Sequence, residues 1–295
     1  MVILVMSGSR YAWNSAFSIA LWTIWGVILI AFIIQQRFSL FTKLRIFPMH
    51  FLRSRSLILL YINTSCAAAS NAVTLYYIPL FFQFTRNDTA LDAAIRLLPF
   101  ICTFIFFILL AGALLPVVPY YPPWYIIGSC LTLAGGACMF TIDATTAQAR
   151  VYGYEILIAA GTGLTFQSAY AIAAAKVAKE DRNNAIGFIN VAQMGSTAIA
   201  LSIAGSLYEN IGFIFLKENL GQFGLPDPAI RSALAGLDSP LLVTASSQVT
   251  ELAVEAVART ISKLFAMLIA SGALGLVSAF ALRWEKLKLE HVAGG

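Results

Sequence analysis

The sequence predicts an all-α integral membrane protein of about seven transmembrane helices, with its N-terminus outside and its C-terminus in the cytoplasm. Three observations carry this expectation. Only 11% of the residues are charged and 59% are hydrophobic, whereas an average soluble domain carries about 25% charged residues. Apolar stretches of about 20 residues, enough to cross about 30 Å of hydrocarbon, recur along the whole chain. Lysine and arginine gather in alternate connections between those stretches, which is the pattern that fixes orientation in a bilayer. Lipid offers no partner for backbone N–H and C=O groups, so each stretch is read as a helix.

The first segment, 16–34, leads into a loop holding Arg37, Lys43, Arg45, Arg53 and Arg55. The second, 57–82, carries Asn63 and Asn71. After it, Asn87-Asp88-Thr89 forms a glycosylation sequon, in keeping with an outside position. The third, 97–115, is preceded by Asp92 and Arg96, whose spacing of four reads as an ion pair at the membrane surface. The connection 116–123 has no basic residue. Its prolines read as a tight turn, with Tyr120, Tyr121, Trp124 and Tyr125 at headgroup level.

The fourth segment is 125–142 and the fifth 156–175, the latter followed by Lys176, Lys179 and Arg182. The sixth, 185–207, opens the one long connection, 209–263, placed outside. Its first half is rich in turn residues. In its second half Val249, Leu252, Ala253, Ala256, Val257, Ile261 and Leu264 recur at helical spacing opposite Glu251, Glu255 and Arg259. This predicts an amphipathic helix lying on the outer surface, with Glu255 and Arg259 paired, leading into the seventh segment, 264–282. Arg283, Lys286 and Lys288 follow in a cytoplasmic tail, 284–295.

The net charge of +5 comes from short clusters between apolar segments, so it marks topology and not a nucleic-acid partner. Cys66, Cys102, Cys130 and Cys138 lie inside apolar segments without the spacing of a zinc site or a disulfide framework, and are read as small core residues. His50 and His291 stand alone in a loop and the tail. No metal or cofactor is expected. Glycine-rich phosphate loops, histidine and carboxylate clusters and nucleophile elbows are all missing, which argues against an enzyme. The first partner implied is the lipid bilayer.

Polarity inside lipid is the informative remainder, because a buried amide needs a partner or water and a charge needs one more urgently. Asn71, Gln167, Asn190 and Gln193, with Asn63, place amides near the middle of three segments. They are read either as hydrogen-bonding glue between helices or as the wall of a polar pathway for a substrate. Glu155 lies at the start of the fifth segment, where it serves either as an interfacial residue or in a proton-linked role. Gly161, Gly163 and Gly195 belong to small-residue runs that allow close helix packing or gating.

Specific strings carry a family resemblance. Tyr11-Ala12-Trp13-Asn14-Ser15, Tyr76-Tyr77-Ile78-Pro79-Leu80-Phe81-Phe82-Gln83, Arg96-Leu97-Leu98-Pro99, Gly153-Tyr154-Glu155-Ile156-Leu157, Gly161-Thr162-Gly163 with Gln167, and Gln193-Met194-Gly195 are similar to runs in the fungal drug:proton antiporter branch of the major facilitator superfamily. That branch has about fourteen spans. The family carries Gln where this chain has Glu155, and its third-helix loop is basic where 116–123 is not.

The resemblance covers nearly the whole chain but begins in the middle of the family pattern. It implies that 1–15 includes the stump of a preceding span, that 16–55 is a linker helix with its basic loop, and that 56–283 is a C-terminal six-helix half. It also implies proton-coupled export of small organic compounds such as toxins or drugs, from the plasma membrane or a vacuole, with a second copy or an N-terminal half supplying the other wall. Two alternatives stand beside it: a seven-helix receptor, although no Asp-Arg-Tyr or Asn-Pro-x-x-Tyr sequence is present, and a fragment that does not transport.

Overall fold

A computed structural model describes residues 14–38, 49–118 and 120–287. The stump of a preceding span, Lys43, Arg45, Lys288 and His291 lie outside them. The described chain is helical: α1 (Ala16–Phe38), α2 (Arg55–Arg86), α3 (Ala90–Ile95), α4 (Leu98–Leu114), α5 (Pro122–Met139), α6 (Gln148–Phe166), α7 (Ser168–Ala175), α8 (Arg182–Leu220), α9 (Asp227–Ser232), α10 (Pro240–Thr244), α11 (Ser247–Leu264) and α12 (Ala266–Phe280), with short 3-10 turns between some of them.

Among the described residues six helices are long and apolar enough to cross a membrane: Ala16–Gln35, Arg55–Arg86, Ala90–Leu114, Gln148–Ala175, Lys179–Phe223 and Ser247–Phe280. The fourth predicted span, α5, falls short of them in hydropathy because of Pro122, Pro123 and its glycines. It is nevertheless packed between α6 and α12. A Cβ built on Gly136 would stand 3.2 Å from the Ile269 backbone nitrogen of α12, and one on Gly272 would stand 2.8 Å from Leu133 Cα of α5. Small residues let this helix approach its neighbours almost backbone to backbone, and that contact replaces bulk apolar surface. By contrast, α1 leaves nearly all of its apolar surface uncovered.

Residue pairs fix the directions of the helices. Tyr61 meets Phe188 and Tyr77 meets Tyr208, with ring centroids 4.8 and 5.7 Å apart, so α2 and α8 run the same way. Phe104 packs on Phe166, and Arg96 reaches Tyr152, so α4 and α6 are likewise parallel. Asn63 bonds Ser278 and Ser70 bonds Ser271, which sets α12 antiparallel to α2. Each relation is the one that alternately crossing segments require.

Two apolar clusters fill the bundle. One, at the Arg55 end of α2, joins Phe51, Leu60, Tyr121, Tyr125, Ile172, Phe188 and Leu282. The other, toward the Arg86 end, joins Tyr77, Phe81, Phe82, Ile158, Ala204, Val257 and Leu268.

Several sequence expectations are corrected. Tyr121 and Tyr125 are fully buried inside the bundle and not on its outer surface. Their rings fill the first cluster, and the phenol oxygen of Tyr125 accepts a hydrogen bond from Ser168 Oγ at 3.3 Å. Arg96 pairs with Asp88, with Nη2 to Oδ1 at 2.9 Å, and not with Asp92. The latter is held by Thr89, which caps α3 by accepting from the Asp92 amide.

The sixth segment continues well past 207, to Leu220, and the amphipathic helix α11 does not lie flat. It packs along α8 and α2 and leads into α12 through a single interruption at Phe265. Its Arg259 lies 3.6 Å from Glu218 of α8 and stacks on Phe215, in place of the predicted Glu255 pair. Of the cysteines, Cys66 is buried, whereas Cys102 and Cys130 are exposed.

Candidate functional site

At the end of the bundle that holds Arg53, Arg55, Lys176, Lys179, Arg182, Arg283 and Lys286, polar contacts draw the connections together. Lys176 forms an ion pair with Glu285 and sits 4.8 Å from the centre of the Tyr121 ring. That ion pair holds the Glu285 carboxyl below its ordinary range. His50 Nε2 lies 3.3 Å from Asp181 Oδ2. The 116–123 connection, which has no basic residue of its own, is thereby joined to Lys176 from another loop.

Inside the bundle Asn63 behaves as glue. Its Nδ2 donates to Ser278 Oγ at 2.8 Å and to the Leu59 carbonyl at 2.9 Å. Together with Ser70, Ser129, Thr132, Thr165 and Ser271 it borders a void of about 10 Å³, room for about one water molecule.

The predicted pathway amides divide. Asn71 is buried in α2, and its Oδ1 has no hydrogen-bond partner among the described residues. Gln167 is exposed at the break between α6 and α7, a break that the single fifth segment did not foresee. Asn190 is exposed on α8. Gln193, half-buried on α8, accepts a hydrogen bond from the Tyr170 hydroxyl of α7. Gln167, Asn190 and Gln193 thus stand on open or half-open faces of α7 and α8 and not in an enclosed cavity.

The three predicted glycines differ in the same way. A Cβ on Gly161 would stand 2.5 Å from the Gly128 carbonyl oxygen of α5, and one on Gly163 would stand 2.8 Å from the Phe104 carbonyl oxygen of α4. Gly195 has nothing within 4 Å of its Cβ position.

Glu155 lies on α6. The helix begins at Gln148, which puts Glu155 about two turns inside it, fully buried, one turn from Val151 and Ala159 of the apolar core. Neither carboxyl oxygen has a hydrogen-bond partner among the described residues. The arginines of neighbouring elements are engaged elsewhere: Arg86 donates to the Thr146 carbonyl at 2.7 Å, and Arg96 holds Asp88.

The structure also assembles a cleft that the sequence did not announce. Between α2 and α8, closed by Leu234 and Ala235, a cavity of about 430 Å³ is lined by Tyr76, Tyr77, Tyr208 and Glu209 over an apolar floor that includes Leu80 and Leu201. Tyr76 and Tyr77 served only as part of the family resemblance, and Glu209 was the first residue of a supposed loop. Their meeting depends on the extension of α8 beyond 207, which periodicity alone did not require. A larger cavity, about 870 Å³, opens at the same end between Arg86, Asn87, Asp143, Glu251 and Glu255. Asp143 lies in the connection between α5 and α6, and hydrogen bonds from Thr145 and Thr146 hold its carboxyl below the usual range.

No protein-family model matches the chain. Curated relatives do. It is 34% identical over 287 residues to a protein named efflux pump patC from Aspergillus clavatus, a match covering 97% of this chain and 52% of that protein. It is 36% identical over 293 residues to the MFS-type transporter pgmG of Aspergillus terreus, covering 97% and 50%. It is 34% identical over 291 residues to efflux pump DEP3 of Fusarium langsethiae, covering 97% and 52%. The chain therefore spans about half the length of the curated relatives it matches.

Proposed function

The chain belongs to the major facilitator superfamily of membrane transporters, and we propose that it forms one half of an exporter of small organic compounds. The observation that carries this reading is the match itself: relatives named efflux pumps align with nearly all of this multi-pass chain, while it spans about half of each. In transporters built of two related halves the substrate site lies between the halves, and transport follows from rocking of one against the other. The open amides Gln167, Asn190 and Gln193 suit a wall of that pathway. Left facing hydrocarbon they would be unfavourable; facing a second half and water they are satisfied. Asn71 completes the set if α2 tilts enough to expose its free Oδ1.

Proton coupling is the driving force we assign to the exporter, and Glu155 is the group that would carry the proton. An ionised carboxylate without a cation or donor costs several kcal/mol in protein packing, so the packing around Glu155 suits the neutral acid. Movement of α6 against α5 would admit water and release the proton. The plasma membrane is the site at which such export removes compounds from the cell.

A fusion tests the whole reading. Expressed alone in yeast, this chain should not lower intracellular accumulation of a fluorescent drug. Joined behind the first half of the Aspergillus clavatus relative, it should. If the chain alone, purified and reconstituted, concentrates substrate in liposomes against its gradient when a proton gradient is imposed, the half-transporter reading fails.

A further inference from the structure

The sequon Asn87-Asp88-Thr89 has no task in the exporter reading, and we propose that Asn87 carries an N-linked glycan whose innermost sugars seat in the large cavity beside it. This requires only that the Arg86 end of α2 lies outside, and it stands apart from what the chain transports. The length of α2 gives the asparagine room. Its 32 residues make a helix about 48 Å long at about 1.5 Å per residue, against about 30 Å of hydrocarbon. With Arg53 and Arg55 held at the cytoplasmic surface, most of the excess lies at the other end and lifts Asn87 clear of the hydrocarbon. There α8, 39 residues long, rises beside it.

Asn87 ends α2 in the left-handed region, with φ 53° and ψ 36°, a conformation that asparagine adopts more readily than most residues. It is exposed, and its side-chain amide makes no hydrogen bond among the described residues. Its two companions are engaged. Asp88 holds Arg96, and the Thr89 hydroxyl donates to Asp92 Oδ2 at 2.7 Å while accepting from the Asp92 amide at 3.2 Å. A glycosyl transferase must reach that threonine as well as the asparagine, so transfer belongs to the time before α3 is capped, while the chain is being inserted. In the transfer Asn87 Nδ2 forms a bond to the anomeric carbon of N-acetylglucosamine, and the bond from that carbon to a lipid-linked diphosphate breaks. The diphosphate leaves with the electron pair and the amide gives up one proton. Folding then fixes the backbone of Asn87 between α2 and α3, and the sugar with it.

Asn87 is itself part of the lining of the cavity of about 870 Å³, a volume within the roughly 300–1,000 Å³ of small-molecule sites. The walls suit an uncharged sugar. Glu251 and Glu255 stand exposed on α11, and Thr145 and Thr250 lie near them in the same lining. Carboxylate and hydroxyl oxygens accept hydrogen bonds, and a sugar brings many hydroxyl groups to donate them. Leu237 and Val254 offer apolar contact to its ring face and acetyl methyl group. A metal ion is the poorer occupant, because Asp143 is taken up by Thr145 and Thr146, and among the described residues no group of three His, Cys, Asp or Glu could hold one.

Expressed in yeast, the full chain should migrate as a larger species that returns to its unmodified size on treatment with peptide N-glycosidase. Asn87→Asp, which keeps a residue tolerant of the left-handed region, should abolish the shift, whereas Thr89→Ser keeps both the acceptor sequence and a capping hydroxyl and should retain it. Endoglycosidase H, which cuts between the two innermost sugars, tests the seat. On the folded protein in detergent it should act several-fold more slowly than after denaturation, and Glu251→Ala with Glu255→Ala, at an unchanged melting point, should bring the folded rate toward the denatured one. A flexible insert with its own acceptor sequence between Gly221 and Pro240 controls for the side of the membrane. If the insert is modified and Asn87 is not, the site is overturned and the orientation stands; if neither is modified, both fall. Cleavage as fast on the folded protein as on the denatured one, or slow cleavage that the two alanines leave unchanged, overturns the seat.

Discussion

An acid deep in an apolar helix bundle must be neutral, paired or wet, and Glu155 is fully buried with no hydrogen-bond partner among the described residues. The resembled family carries Gln at this position, so the proton role proposed for Glu155 is a property of this chain and not one carried over. Glu155→Gln tests it, because the amide keeps the size of the protonated acid and cannot ionise. In the fused transporter, uphill export driven by a proton gradient should fall about tenfold or more, equivalent to about 1.4 kcal/mol, while exchange of substrate down its own gradient persists. Transport that keeps its dependence on the proton gradient in the variant would make Glu155 a packing residue. Its burial is not legible in the sequence: hydropathy starts the fifth segment at 156, but Gln148, Arg150 and Tyr152 are helical too, and those polar residues hide about two turns of helix.

Among elements, α5 shows how small residues substitute for hydropathy. Gly161 of α6 lies against the α5 backbone, with Gly128 O at 2.5 Å and Thr132 N at 2.6 Å from its Cβ position, whereas Gly195 of α8 meets nothing within 4 Å. One chemical change should therefore give opposite signs. Gly161→Ala must push two helices apart and should destabilise by about 1–3 kcal/mol. Gly195→Ala adds helix propensity and should be neutral or stabilising by up to about 1 kcal/mol. Thermal unfolding in detergent reads both, and equal melting points would contradict the α5–α6 approach. The segments themselves were legible, since length and apolarity suffice to mark a span. Helix ends were not: α8 extends as a helix to Leu220 where the sequence predicts a long connection from 209, because packing of α11 along α8 supplies the apolar burial that composition there withholds. The cleft was illegible for the same reason, its tyrosines and Glu209 being brought together only by that extension.

For the whole molecule, the direction of insertion follows from lysine and arginine near the span ends, since either direction is compatible with the helix packing. The parallel and antiparallel pairings require the spans to alternate, and they gather Arg53, Arg55, Lys176, Lys179, Arg182, Arg283 and Lys286 at one end. The other end holds as many basic residues: Arg86, Arg96, Arg150, Lys217, Arg231, Arg259 and Lys263. Several of these are matched, Arg96 by Asp88, Lys217 by Asp227 at 2.9 Å and Arg259 by Glu218. Acidic partners count for little in topology, because the bias is one of lysine and arginine near span ends. What tips the balance is Arg37, Lys43, Arg45 and Lys288, which the sequence assigns to the first end. We therefore predict that a reporter fused after Gly295 is cytoplasmic and that an epitope inserted between Gly221 and Pro240 is reached by antibody on intact cells. Neutralising Lys43 and Arg45 together should reduce the correctly oriented fraction, since with Arg10 on the other side the margin is only three residues. An epitope that stays protected on intact cells and becomes accessible after permeabilisation would invert the orientation, and with it the side from which the aromatic cleft and the large cavity beside Asn87 open.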